Sequence, residues 1–432
     1  MADDQVFNTL LNKLERFSLD GIPKRDGEIH PHYGGYSIAN LPASMLDWLG
    51  VPAPVNNPLA GEIQSALKQK YRHIIFLLVD GLKLALFQRF YTETRERTLY
   101  QAWARIFEHG LLAPLTSIAP STTSAALTTL WTGRLPVEHG IIGYELFLKE
   151  FGLTANMIFH SVASFQNDTG SLYRAGFDPE TFLPVPTLGP LLQQNGVKPF
   201  AFQHSSISSS GLSRMLLKGV ESIPFESAED LWSSVRLVQE DYQSSKTYSY
   251  IYWGGLDTFS HHNGPDSTQL YDMWLDFARS LAGFLNPLIA HGRNDTLFVL
   301  TADHGQIATE IKYDFDLHHH PELARHLALM PTGESRLPYL FIMNGHEVEV
   351  ENYLNSHWNG KFTMLPSSKV LSNGLLGTAA PHPSTLDRVG SHIVFPENNA
   401  YWWWVNKENH LLGRHGGLSR DEMLVPFFAM EV

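Results

Sequence analysis

The stretch Ile74-Ile75-Phe76-Leu77-Leu78-Val79-Asp80-Gly81 sets the reading of the whole chain. Its run of apolar and β-branched residues, closed by Asp-Gly, is the pattern of a strand covered on both faces and ended by a turn. A strand wet on one face would alternate polar and apolar residues instead. Two other segments repeat the pattern: 247–253 leads to Gly254-Gly255-Leu256-Asp257, and 296–301 runs into Ala302-Asp303-His304-Gly305. Helical periodicity is expected over 82–107, 123–131, 187–194 and 269–285. In the last of these Leu270, Trp274, Phe277, Leu281, Phe284 and Leu285 recur every three or four residues. Pro287 is expected to close that helix. Further strands are expected at 111–117, 199–203, 339–343 and 401–405. Strands alternating with helices imply right-handed crossovers, hence an α/β fold with a mostly parallel central sheet and helices on both faces. Residues 1–70 carry one amphipathic stretch (Phe7, Leu10, Leu11, Leu14) and a Gly/Pro/His-rich segment, 27–35. They read as an N-terminal arm packed on a core of 71–432, which holds a small cap or insertion within about 307–412.

Composition narrows the chemistry. The 432 residues carry 31 Lys+Arg against 44 Asp+Glu, a net charge of −13. Such a surface is unsuited to gripping a nucleic-acid duplex by its phosphates. There is no cysteine, which excludes disulfides, thiolate nucleophiles, iron–sulfur clusters and sulfur-based zinc sites. Histidine occurs 21 times, so imidazole and carboxylate are the groups left to hold a transition metal. The amino terminus shows no basic stretch followed by an apolar one, and no apolar run approaches the ~20 residues of a membrane helix. A cytoplasmic protein without a membrane segment is the expectation.

Ligands of open α/β sheets sit beyond the carboxyl ends of the strands. The polar residues found there are Asp80, Asp257, Asp303 and His304. Each taken alone reads as a turn former; together, three strand ends deliver a carboxylate to one edge. His261 follows Asp257 by four residues, so one helical turn aligns the two as a half-site for Zn²⁺. His415 lies in the glycine-rich loop Gly413-Arg414-His415-Gly416-Gly417. Ser419 to Glu422 forms a capping box for a short helix that Pro426 is expected to end before a last strand. Ala119-Pro120-Ser121-Thr122-Thr123-Ser124 opens a helix, where a hydroxyl caps the first turn or lies where a phosphate would bind. His318-His319-His320 reads as a loop triplet, and Tyr401-Trp402-Trp403-Trp404 as a core strand.

Asp80, the Thr123 segment with Thr132-Gly133 and His139-Gly140-Ile141, Asp257-x-x-x-His261, Asp303-His304-Gly305 and His415-Gly416 together resemble the alkaline phosphatase superfamily. The resemblance is nearest to its type I phosphodiesterase/nucleotide pyrophosphatase branch. It implies an alkaline-phosphatase-like fold and two divalent metal ions, Zn²⁺ first and Mn²⁺ second. Asp257, His261 and His415 would hold one ion; Asp80, Asp303, His304 and Thr123 would hold the other. It also implies that Thr123, rather than Thr122, is the nucleophile, because the family's nucleophile precedes its Thr-Gly by nine residues. Two positions depart from the branch. Ala125-Ala126-Leu127 follow Ser124 where a Pro-Asn-His-Tyr run is usual, and Tyr144 stands where the branch has a phosphate-binding Asn. Tyr144 and Ser124 remain the expected substrate contacts. The implied substrate is a small phosphate ester or nucleotide, whose diester or pyrophosphate bond is cleaved through a phospho-threonine. A phosphomonoesterase, a phosphomutase and a non-catalytic metal-binding relative are the alternatives. Two divalent ions against Asp80, Asp257 and Asp303 leave a local charge of about +1, falling to about zero when Thr123 ionises.

Overall fold

A strand with no polar side has to lie inside a sheet, and His73–Val79 does, buried along its whole length. In the computed structural model, which describes residues 4–52, 56–94, 99–164, 168–292 and 295–432, it pairs in parallel with Lys246–Trp253 on one side and Thr296–Thr301 on the other. The sheet runs Gly110–Thr116, Leu424–Glu431, Thr296–Thr301, His73–Val79, Lys246–Trp253, Val197–His204, Glu221–Phe225. Among the described residues only Leu424–Glu431 opposes its neighbours, so the sheet is mostly parallel, as expected. Alternation along Lys246–Trp253 shows how both faces are covered. Tyr248 and Tyr250 meet the edge of Trp131 from the helix Thr123–Thr132. Trp253, on the other face, stacks at 3.9 Å on Phe277 of the helix Thr268–His291.

A second, antiparallel sheet takes strands from two distant stretches: Glu145–Leu148, Leu153–Asn156 and Ser161–Val162, joined to Leu327–Glu334, Leu337–Ile342, His392–Pro396 and Phe362–Pro366. A separate hydrophobic cluster containing Phe315, Leu340, Trp358, Phe362, Val394 and Trp402 packs here. The helix Asp4–Arg16 buries Phe7, Leu10 and Leu14, the amphipathic face seen in the sequence. No helix among the described residues is long and apolar enough to cross a membrane.

Four local expectations need correction. The helix Thr268–His291 passes through Pro287 and closes only at Gly292, whose φ of +58° suits glycine. Proline removes one hydrogen bond, but Leu288 and Ile289 pack on the core and Asn286 ties the turn to the carbonyls of Ala102 (2.7 Å) and Ala282 (2.9 Å). Burial outweighs the lost bond. Residues 401–405 form no ladder, because successive amides go to different segments. Trp402 N–H reaches Ser335 O at 3.0 Å and Trp403 N–H reaches Phe315 O at 2.8 Å. Pro426 lies within Leu424–Glu431, opposite Pro114, where pairing with Thr296–Thr301 has not yet begun; the preceding helix, Arg420–Met423, has already ended. The 82–107 expectation resolves into Leu84–Thr94 and Tyr100–His109, with 95–98 outside the described residues.

Candidate active site

The carboxyl edge of the first sheet gathers the polar residues. Asp80 follows His73–Val79 directly, and Gly81 turns the chain with φ +76°. A Cβ at Gly81 would lie 3.1 Å from Asp257 Cα, so glycine is what allows these two strand ends to approach. Asp303 and His304 follow Thr296–Thr301. Asp257 and His261 lie one turn apart in the helix Gly255–Asn263. Thr123 is the first residue of its helix, after an extended Thr122 whose side chain makes no cap. His415 follows Gly413–Arg414, which pairs with Ile307–Ala308.

These seven side chains converge. Thr123 Oγ1 is 3.1 Å from His304 Nε2, which is 3.5 Å from both Asp80 Oδ1 and Asp303 Oδ2. Asp257 Oδ1 is 3.4 Å from His261 Nε2 and 3.8 Å from His415 Nε2. The rings of His304 and His415 stack at 3.8 Å. Two overlapping ligand groups result, Asp257/His261/His415 and Asp80/Asp257/His304, each with its donor atoms within 4.8 Å of one another.

Hydrogen bonding sets the imidazoles. Nδ1 faces a carbonyl in each: Gly413 for His261 (2.9 Å), Gly305 for His304 (3.0 Å) and Ser121 for His415 (3.0 Å). With Nδ1–H donating, every Nε2 turns a lone pair toward the carboxylates. Among the described residues no donor faces Asp80 Oδ1 or Asp303 Oδ2, although both are buried. Burial, then the charges of Asp303 and Asp257, push the Asp80 carboxyl well above its usual range. Burial raises Asp303 too, and Asp257 adds to it. Burial, then His304 and His261, hold the His415 imidazole well below its usual value. Acceptors facing acceptors in a dry site is a costly arrangement. A divalent cation relieves it, and oxygen plus imidazole donors suit Zn²⁺ or Mn²⁺.

The sequence profile described as type I phosphodiesterase / nucleotide pyrophosphatase matches residues 74–416. The chain belongs to that family. Structural relatives of the alkaline phosphatase superfamily share its fold. Murine ectonucleotide pyrophosphatase/phosphodiesterase 5 is 17% identical with a TM-score of 0.61, covering 83% of this chain and 87% of its own. An inactive threonine-to-alanine variant of that mouse protein is known in complex with AMP. Phosphonoacetate hydrolase from Sinorhizobium meliloti 1021 is 17% identical (TM-score 0.59; 83% and 90% covered). The alkaline phosphatase PafA is 14% identical (TM-score 0.54; 84% and 91% covered). Comparison with curated proteins gives no match.

Around this cluster stand residues that the sequence reading passed over. Tyr252 donates its hydroxyl to Asp80 Oδ2, and the Gln306 amide donates to Asp257 Oδ1. Both carried a signal: Tyr252 is the last residue but one of a strand ending at the site, and Gln306 adjoins Asp303-His304-Gly305. Glu334 carried none, since it arrives from the second sheet. Its Oε1 accepts from Thr122 Oγ1 (2.5 Å) and Tyr144 N–H (2.9 Å). The Ser124 hydroxyl is fully buried and donates to Gly143 O at 2.8 Å, which leaves its backbone N–H as the group able to face a substrate. Burial pushes the Tyr144 phenol up to about 12, with Asn156 hydrogen-bonded to it.

Burial also lifts Glu334 from an ordinary 4.5 to about 8. A raised acid keeps its proton in the folded state where the unfolded chain has lost it. Its stabilising contribution is therefore whole below about 4.5 and fades as pH climbs to about 8. Chelator-treated wild type is expected to lose roughly 2–4 kcal/mol across that window relative to Glu334→Gln. Denaturant unfolding of the pair at several pH values checks this; parallel curves would refute it.

Proposed function

We propose that this family member is a two-metal hydrolase that cleaves phosphate diester or nucleotide pyrophosphate bonds through a phospho-threonine on Thr123. The reading rests on one observation: three imidazole Nε2 atoms gather with buried carboxylates, two of whose oxygens lack a donor among the described residues, at one edge of the sheet, where His304 Nε2 lies 3.1 Å from the Thr123 hydroxyl. Asp257, His261 and His415 would hold one ion; Asp80, Asp303, His304 and Thr123 would hold the other. Two such ions would supply Lewis-acid stabilisation of the attacking and leaving oxygens in an in-line displacement.

The chain's own residues do the rest. Thr123 starts its helix, so its N–H and that of Ser124 lack intrahelical acceptors and can receive a phosphoryl oxygen. The Thr123 hydroxyl gives up its proton to solvent and its oxygen forms the new bond to phosphorus as the bond from phosphorus to the leaving group breaks and the alkoxide or phosphate departs, an alkoxide taking up a proton from solvent. Water then breaks the Thr123–phosphorus bond, restores the hydroxyl and releases the phosphate product. Tyr144, with Asn156 on its phenol oxygen, is the second proposed substrate contact.

A monoanionic diester suits the site better than a dianionic monoester, because the buried cations beside the ligands are committed. Lys83 binds Asp266 (2.6 Å) and Asp421 (2.9 Å), and Arg414 lies 3.6 Å over Tyr401 and donates to Leu411 O (2.9 Å) and Asn409 (2.5 Å). The AMP-bound threonine variant of the mouse relative supports a threonine nucleophile and a nucleotide substrate. Metal analysis is expected to find about two ions per chain, with diesterase activity lost to a chelator and regained with Zn²⁺. Metal-free protein of undiminished activity would refute the reading.

A further inference from the structure

The loop that carries Thr123 and the loop that carries His415 are both hydrogen-bonded to one short segment near the amino terminus. At its first end, Gly27 O accepts from Arg420 N–H (2.8 Å), Ile29 N–H donates to Leu418 O (2.8 Å), and Glu28 bridges Ser419. At its other end, His32 N–H donates to Thr116 Oγ1 (3.0 Å), Thr116 N–H donates to Tyr36 O (2.8 Å), and Ser37 bridges Thr116. Between them the Tyr33 hydroxyl accepts from Ala119 N–H at 3.2 Å and donates to Leu375 O at 2.8 Å. The two loops also meet through Ser121, whose hydroxyl donates to Gly417 O (2.8 Å) and accepts from Gly416 N–H (3.2 Å).

The segment is itself held firmly. Asn40 receives Gly35 N–H (3.2 Å) and Ser37 N–H (3.1 Å) and donates to Tyr33 O (2.9 Å), while His32 stacks on Phe17 at 4.0 Å. It precedes residue 74, where the family match begins. Residues 117–122 carry the chain from strand to helix, so their course decides where the Thr123 oxygen points. Ala119 is fully buried. Without Tyr33 its N–H would be a buried donor lacking this partner, and the turn would relax to find another.

We infer that residues 27–37 form a clasp that sets the distance between the Thr123 oxygen and the His415 imidazole, with Tyr33 the positioning residue for the nucleophile's turn. This rests on the proposed roles of Thr123 and His415. The clasp touches neither substrate nor metal, so its failure lowers the rate of the chemical step more than it weakens binding. A displacement near 1 Å can cost about a hundredfold in rate.

The test is full-length Tyr33→Phe, assayed with Zn²⁺ on bis(p-nitrophenyl) phosphate. At least about a tenfold loss of kcat is expected, with KM and bound zinc within about twofold of wild type. Tyr36→Phe is the control, because the Tyr36 hydroxyl faces Lys13 and Glu62 rather than the loop; its kcat should stay within about twofold. If Tyr33→Phe does not fold, Thr116→Val removes the acceptor of His32 N–H and should give a similar loss. Unchanged kcat in the folded variant, or equal losses in Tyr33→Phe and Tyr36→Phe, overturns the clasp while leaving the proposed function intact. A wild type that cleaves no diester sinks the proposed function, and the clasp with it.

Discussion

Thr123→Ala is expected to lower kcat on a phosphate diester by roughly 10³-fold or more while the protein stays folded. The hydroxyl is the atom that would bond to phosphorus, and water cannot be held at the same point with the same alignment. Folding should survive, because alanine is a better helix former than threonine at the start of Thr123–Thr132. Asp80, Asp303 and His304 keep their mutual geometry through the backbone N–H groups of Gly81 (3.3 Å) and His304 (3.0 Å), which both donate to Asp303 Oδ1. Metal content should therefore fall far less than activity. Thr123→Ser restores the oxygen and should recover most of the rate. Steady-state kinetics with metal analysis on the three proteins decide the matter; full activity in the alanine variant would remove the mechanism.

Glu422→Gln should have the largest effect on stability. Glu422 and Arg336 are both buried and meet as a two-pronged pair, Nε to Oε1 at 3.1 Å and Nη2 to Oε2 at 2.9 Å. Burial pushes the Glu422 carboxyl up, yet Arg336, Ser419 and the Gly417 N–H pull it below its usual range. The same carboxylate accepts from Gly417 N–H at 2.9 Å and Ser419 N–H at 3.2 Å, so it also anchors the turn after His415. The amide leaves Arg336 a buried, unpaired cation, a loss of roughly 3–5 kcal/mol. In a chain of this length that lowers Tm by about 4 °C. Adding Arg336→Met should recover part of it, since the stranded charge is gone. A Tm for Glu422→Gln within about 1 °C of wild type would show that the pair holds little.

What could be seen before any coordinates was whatever a short stretch of chain declares for itself. A covered parallel strand must be apolar throughout, so 74–79 announced its place, and 296–301 and 247–253 followed. An Asp just past such a strand lies at the rim that binds ligands, and a His four residues on in a helix shares its face. That is why Asp80, Asp257, His261, Asp303 and His304 could be named from the residues themselves, whereas Thr123 and His415 joined them only through the family resemblance. Tyr401 to Val405 misled for the same reason. Its composition is that of a strand, yet its amides are divided between Phe315 and Ser335.

The fold of the central sheet, the strand-end carboxylates and the Asp257–His261 pair thus followed from local periods of two and about 3.6 residues, which short-range sterics and burial impose. What the sequence did not show came from contacts between distant segments: Glu334 from the second sheet, Arg336 against Glu422, Tyr33 against Ala119 and, away from the site, a helix that outlasts Pro287. Each depends on one particular pair of distant surfaces meeting with water excluded. A buried charge or amide accepts a partner from any point along the chain, so such contacts leave no period to find.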